Sequence, residues 1–192
     1  MKKIIIAIDS FKGCLTSAEA GKAAEKGIKS INPSCHTSVI PIADGGEGLL
    51  DVLITATKGK YITLSAHGPL MKMAKTHYGL SGNGRTAIIE MAAISGLPLV
   101  PIEQRNPMLT TTFGTGELIK DALNKGCRNF IIGIGGSATN DAGLGMLQAL
   151  GFRFLDKSGH TLGTGGQIME AVANIDTSGI HPALKETHFV VA

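Results

Sequence analysis

Residues 130–145 gather the residue types that handle anions. An apolar run, Phe130-Ile131-Ile132, breaks into Gly133-Ile134-Gly135-Gly136-Ser137-Ala138-Thr139-Asn140-Asp141 and then passes into Met146-Leu147-Gln148-Ala149-Leu150, a helical pattern. A strand, a glycine-rich turn and a helix in that order let backbone approach a ligand. They turn free N–H groups outward and add the partial positive charge of a helix start. Ser137, Thr139 and Asn140 can add side-chain hydrogen bonds, and Asp141 can hold a metal or take a proton. The plainer reading is a tight turn with an Asn/Asp cap on the helix. The polar groups exceed what a cap requires. Gly133-x-Gly135-x-x-Ala138 fits the loose dinucleotide pattern, which alone is weak, and no P-loop sequence occurs.

Two earlier loops carry similar chemistry. Asp9-Ser10-Phe11-Lys12-Gly13 follows an apolar run at residues 3–8 and precedes Thr16-Ser17-Ala18-Glu19, a capping box that opens a helix to about residue 30. Lys12 therefore falls at the carboxyl end of a strand, where open α/β sheets bind ligands, and can neutralise a phosphate. A solvated loop lysine is the alternative. Asp9 is either a metal ligand or a turn residue. In Ala43-Asp44-Gly45-Gly46-Glu47-Gly48, two carboxylates stand among three glycines, which leaves room for a ligand beside Asp44. An acidic N-cap, with Glu47 favouring the helix dipole, is the competing reading. Thr110-Thr111-Thr112-Phe113-Gly114-Thr115-Gly116-Glu117 is a further hydroxyl-rich helix entry with Thr115 as candidate cap, and Arg105 could fork a carboxylate.

The elements needed to hold these loops are legible in outline. Strands are expected at 3–8, 37–42, 61–65, 72–80, 86–90, 130–132, 152–155 and 188–192, and helices at 16–30, 49–57, 118–124, 146–150 and 167–173. From residue 58 strands follow one another without helices, which predicts a mixed or antiparallel sheet and a boundary near residue 59. The expected division is 1–58, the first part of a Rossmann-like parallel-sheet domain, and 59–192, a second α/β domain. The loops are expected to converge on one cavity. His67 and His77 read as structural or exposed.

Composition excludes several function classes. Of 192 residues only 4% are aromatic and none is Trp, which argues against base stacking on nucleic acid. The net charge of +3 is scattered, so no basic stripe marks nucleic acid or a membrane surface. Three cysteines, Cys14, Cys35 and Cys127, make neither a disulfide framework nor a zinc pattern, and are expected to be buried or inert. Met1-Lys2-Lys3 resembles a signal start, but the apolar run behind it is too short. No segment reaches bilayer length, and a cytoplasmic location is expected.

Together, Ile8-Asp9-Ser10-Phe11-Lys12-Gly13, the 43–48 motif, Thr110-Thr111-Thr112-Phe113-Gly114-Thr115-Gly116-Glu117-Leu118-Ile119 and Gly133-Ile134-Gly135-Gly136-Ser137-Ala138-Thr139-Asn140-Asp141 resemble the bacterial glycerate kinase family. Four motifs in this order over the whole chain make a specific match. The resemblance implies a Rossmann-like α/β domain interrupted by a mixed-sheet domain. It also implies ATP with Mg2+ as cofactors and phosphoryl transfer to glycerate, giving 2-phosphoglycerate or its 3-isomer. Family members are longer, and the match breaks off at Val190-Val191-Ala192. The chain is thus expected to be an amino-terminal half, with the missing half or a second copy as partner.

The residues fit the parts of a phosphoryl transfer, which needs alignment and charge neutralisation more than covalent help. Gly135, Gly136, Ser137, Thr139 and Asn140 are expected to hold nucleotide phosphates, and Lys12 to neutralise transferring charge. Asp141 or Asp9 would hold magnesium, with Asp141 also a catalytic candidate. Asp44 would orient or deprotonate the glycerate hydroxyl, while Ser10, Glu47 and Arg105 would contact substrate. Two readings compete: a non-catalytic half that binds anions or nucleotide, and a dinucleotide-dependent oxidoreductase. The latter lacks an acidic ribose partner about 20 residues on.

Overall fold

The computed structural model describes residues 3–192; Met1 and Lys2, part of the basic start weighed above, lie outside the described residues. The chain opens with β1 (Lys3–Ile6), α1 (Ser17–Ile31) and β2 (His36–Val39). The two strands pair in parallel, Lys3 opposite His36 through Ile6 opposite Val39. The expected capping box at the start of α1 is formed: the Thr16 hydroxyl accepts from Glu19 N–H, and the Glu19 carboxylate accepts from Thr16 N–H.

A five-stranded mixed sheet makes the larger layer. In spatial order it runs β3 (Lys60–His67), β4 (Met73–Leu80), β5 (Thr86–Glu90), β6 (Asn129–Gly133) and β9 (His188–Val191). The first two pairings are antiparallel and the last two parallel. The α/β class with parallel and mixed sheets is as the sequence indicates. β5 shows why: Ala87, Ile88 and Ile89 are all buried, because helices cover both faces of the sheet there. Ile89 joins a core with Tyr78, Ile94, Leu118, Ile119, Phe130 and Ile132, beneath α4 (Phe113–Asn124). Ile88 packs on the opposite face against Leu50 and Ile54 of α2 (Leu49–Thr57). Each such side chain contributes about 1.5–3 kcal/mol on burial.

The packing of α2 departs from the expected division at residue 59. It leans on the five-stranded sheet rather than on β1 and β2, because its apolar stripe of Leu50 and Ile54 meets Ile88. By contact, the first layer ends within the 40–48 connection. α4 begins at Phe113, earlier than expected, with Thr112 at its N-cap position. Thr115 is therefore inside the helix, fully buried, its hydroxyl 2.9 Å from that of Ser95. The expected helix at 167–173 is a 3-10 segment, Gly166–Ala171. There, Gln167 N–H is drawn to Met108 O and Ala173 N–H to Leu155 O, away from a helical ladder. The remaining α-helices and strands among the described residues are the short helices α3 (Ala92–Ser95) and α5 (Leu144–Ala149), and the antiparallel pair β7 (Arg153–Leu155) and β8 (Asn174–Asp176).

His67 has the structural role expected: its ring and backbone N–H both meet the Glu117 carboxylate, tying β3 to α4. Cys35 and Cys127 are buried, but Cys14 is exposed, since it sits in a surface turn between β1 and α1. Among the described residues no helix is long and apolar enough to cross a membrane.

Candidate functional site

The carboxyl ends of the parallel strands β5 and β6 bring three loops together. Met91 N–H donates to Gly133 O at 2.9 Å, Leu97 N–H to Gly136 O at 3.0 Å, and Ala138 N–H to Ser95 O at 2.9 Å. These bonds fasten the 133–138 loop to the segment after β5. On its other side Gly135 N–H reaches Gly45 O at 3.4 Å. The approach is too close for a side chain: a Cβ at Gly133 would lie 2.4 Å from Gly45 O, and one at Gly135 would lie 2.7 Å from Gly46 Cα. The 43–48 and 133–138 motifs are thus in backbone contact.

Within the turn, Ser137 Oγ lies 2.7 Å from Thr139 Oγ1 and accepts from Thr139 N–H at 2.9 Å. The N–H groups of Gly136 and Ser137 take no hydrogen bond among the described residues. Beside this turn a hollow of about 260 Å³ is lined by Arg105, Asn106, Thr110, Ser137 and Thr139, with Leu97, Val100 and two further residues completing its wall. None of the lining residues is acidic. Arg105 Nε donates to Val100 O at 3.2 Å, which fixes the guanidinium by one edge and leaves its terminal nitrogens for a ligand.

A second, larger cleft of about 430 Å³ lies between the start of α1 and the start of α2, and Ser10, Lys12, Glu47, Asp51, His77 and Glu90 line it. Ser17, buried at the first turn of α1, sets its rear wall. Its hydroxyl donates to Ile8 O at 2.6 Å and accepts from Ile42 N–H at 2.9 Å, joining the exits of β1 and β2. Glu90, at the tip of β5, accepts from Gly48 N–H at 2.6 Å. Burial pushes the Glu90 carboxyl above the usual carboxylate range, the Gly48 N–H opposes this, and the charges of Asp51 and Glu47 add to the rise.

The sequence expectations divide on this geometry. Ser10, Lys12 and Glu47 share the larger cleft, while Arg105, Ser137 and Thr139 share the smaller hollow. The expected single cavity is thus replaced by two hollows with no lining residue in common, because the 43–48 and 133–138 loops meet backbone to backbone. Lys12, Asp44 and Asn140 meet in neither. Asp44 is exposed and accepts from Gly46 N–H at 3.2 Å in a local turn. Asp9 takes the N–H of its neighbour Ser10 at 2.7 Å. The backbone of Asn140 lies against Gly166, whose Cβ position would fall 2.7 Å from Asn140 O.

Asp141 differs most from expectation. It is 1% exposed, and its oxygens accept from the N–H groups of Thr112 at 2.8 Å, Gly143 at 3.1 Å and Gly145 at 3.1 Å. The Thr111 and Thr112 hydroxyls donate as well, at 3.2 Å and 3.0 Å. A carboxylate so enclosed has no free lone pair directed at solvent, so neither the metal nor the catalytic expectation fits it. It knots the start of α4 to the start of α5, which explains Thr111 and Thr112; the Thr110 hydroxyl donates instead to Ala138 O. Among the described residues no group of three or more His, Cys, Asp or Glu is placed to hold a metal ion.

Glu90 and Asp51 are cleft residues that the sequence reading does not single out, and His77, read as structural or exposed, is exposed in the same cleft wall. One signal for Glu90 was present: a carboxylate directly after the apolar run Ile88-Ile89, at the carboxyl end of a strand. Nothing local marks Asp51 or His77, which reach the cleft from α2 and β4.

Fold and loops together define an α/β protein with glycine-rich, anion-suited turns at the carboxyl ends of its parallel strands. The model of the glycerate kinase family matches residues 4–192, and the chain belongs to that family. Glycerate kinase of Bacillus subtilis (strain 168) is 52% identical over 190 residues, covering 99% of this chain and 50% of that one. Glycerate 2-kinase of Escherichia coli (strain K12) is 49% identical over 190 residues, with the same coverage. A Salmonella typhimurium LT2 crystal structure assigned as a glycerate kinase 2 superposes with a TM-score of 0.86 at 47% identity, over 98% of this chain and 50% of that chain. The chain spans about half the length of the curated relatives it matches.

Proposed function

We propose that the chain is the phosphate- and acid-binding part of an ATP-dependent glycerate kinase, which transfers the γ-phosphoryl group to a hydroxyl of glycerate and yields 2-phosphoglycerate or its 3-isomer. The observation that carries this reading is the acid-free hollow that Arg105, Ser137 and Thr139 line together, next to the unbonded N–H groups of Gly136 and Ser137. The names of the relatives supply the substrate class.

In this reading Arg105 takes a carboxylate or phosphate bidentately, and Gly136 and Ser137 N–H neutralise the phosphoryl oxygens. Lys12 adds a mobile positive charge from the neighbouring cleft. Asp44, exposed beside the same turn, accepts the hydroxyl proton as the glycerate oxygen bonds to phosphorus and the bond to the ADP oxygen breaks. Magnesium is retained as the counter-ion of the nucleotide, since it commonly binds through phosphates and one or two carboxylates. Asp9 is the remaining candidate ligand, and Asp141 is not. The cytoplasm suits a reaction on these metabolites.

A non-catalytic half that binds anions or nucleotide is the second reading. It is favoured by the exposure of Ile5 at 61% and of Ile31 at 88% in the β1–β2 layer, apolar surface that calls for a partner. That partner is either the remaining family length or a second copy. Phosphorus NMR of the chain with ATP, Mg2+ and glycerate, alone and with the carboxyl half of the Bacillus subtilis relative, separates the two. A phosphoglycerate signal is expected in the reconstituted sample, and its chemical shift reports which isomer forms. Calorimetric ATP–Mg2+ binding without that signal would leave the second reading, and no binding would end both.

A further inference from the structure

Helix α2 starts without a cap of its own. Its N-cap residue is Gly48, held at φ 92°, and no local side chain meets the first N–H groups. The missing acceptor comes from 42 residues further along the chain: Glu90 Oε1 accepts from Gly48 N–H at 2.6 Å. A carboxylate in that position also suits the positive end of the helix. The same residue stands opposite Gly133 in the β5–β6 register, and the next one, Met91, donates to Gly133 O. The 45–48 segment is therefore held at both ends, by Glu90 at Gly48 and by Gly135 N–H at Gly45 O. Glu47 lies on this segment and Asp44 directly precedes it.

We propose that Glu90 is a positioning residue for the phosphoryl transfer proposed above, on which this inference rests: from the tip of β5 its carboxylate holds the loop that presents Asp44 and Glu47. An ionised carboxylate accepts more strongly than a neutral one. Glu90 shares the cleft with Glu47 on the held loop, Asp51 on α2, Lys12, Cys14 and Glu19 on the β1–α1 side, and His77 on β4, and its charge is also felt by Tyr61 on β3. Burial, Asp51 and Glu47 all disfavour its charged form. The sign follows: above the raised Glu90 pKa the loop is clamped, and as pH falls through that value the clamp weakens.

Hydrogen exchange at the Gly48 amide of this chain reads the clamp without turnover, and the reconstituted assay reads its consequence. Glu90→Ala is expected to speed Gly48 exchange at least tenfold, to leave Leu118 exchange in α4 unchanged, and to lower kcat at least tenfold. Glu90→Gln retains an acceptor. It is expected to restore much of kcat at neutral pH and to remove the acid limb of the profile. Unchanged Gly48 exchange in Glu90→Ala would overturn the proposal. So would faster exchange with kcat and the pH profile unmoved, which would make Glu90 a helix cap and nothing more. Absence of turnover in the wild type would instead sink the kinase reading, before any variant is compared.

Discussion

Both oxygens of Asp141 face backbone N–H groups, and an N–H cannot reverse its polarity. An amide at this position would point an NH2 group at one of those donors, and alanine would leave all of them unpaired in a buried place. Asp141→Asn and Asp141→Ala are each expected to destabilise the chain by about 2–3 kcal/mol, the range for unsatisfied buried polar groups. Urea unfolding followed by circular dichroism checks this. If stability held while ATP–Mg2+ binding vanished, Asp141 would return to the metal site. In sequence, Asn140-Asp141 before a helix reads equally as cap or ligand. Only the threonines arriving from residues 111 and 112, some thirty positions away, settle which.

The elements that aim the loops depend on few contacts, and Ser17 is one of them. It is the first residue of α1, yet its hydroxyl links the carbonyl after β1 to the amide after β2. Without it, the loops bearing Asp9, Ser10 and Lys12 lose their tie to the 42–48 segment. Ser17→Ala is expected to cost about 0.5–1.5 kcal/mol, the usual net worth of a hydrogen bond, since the Ile42 N–H loses its acceptor. A large proton shift change at the Ile42 amide, with Leu118 unmoved, would locate the effect, and an unchanged Ile42 resonance would refute it. Local signals placed the starts of α1 and α2 well, because a capping box and a glycine break mark them in sequence. The start of α4 was misplaced, because Thr112 turns its side chain to Asp141 instead of capping its own helix.

At the scale of the whole molecule, apolar surface is unevenly covered. β5 and β6 are sheathed by helices, whereas β1 and β2 form a two-stranded parallel pair with Ile4 and Ile5 exposed. Parallel strands are ordinarily buried on both faces. On the larger sheet, β9 is an edge strand, and Phe189, Val190 and Val191 are exposed there. The chain alone is therefore expected to enhance the fluorescence of an apolar dye, and addition of the carboxyl half of the Bacillus subtilis relative to reverse most of that gain. A chain that leaves the dye dark would mean these surfaces are closed in solution. The curated relatives are about twice as long as the stretch that this chain matches.

The sequence by itself determined what is local and periodic: the α/β class, the runs that become β5 and β6, the capping box, and the glycine-rich turns whose order marks the family. Each depends on residues within a turn or two of one another, or on a pattern of apolar residues that burial imposes. Tertiary structure alone decided which polar groups share a space. It separated Lys12 from Arg105, buried Asp141 under two threonines, placed α2 on the larger sheet and brought Glu90 to the amide of Gly48. Those outcomes turn on distances between segments remote in the chain, and residue type at one position carries no record of what the fold sets across from it.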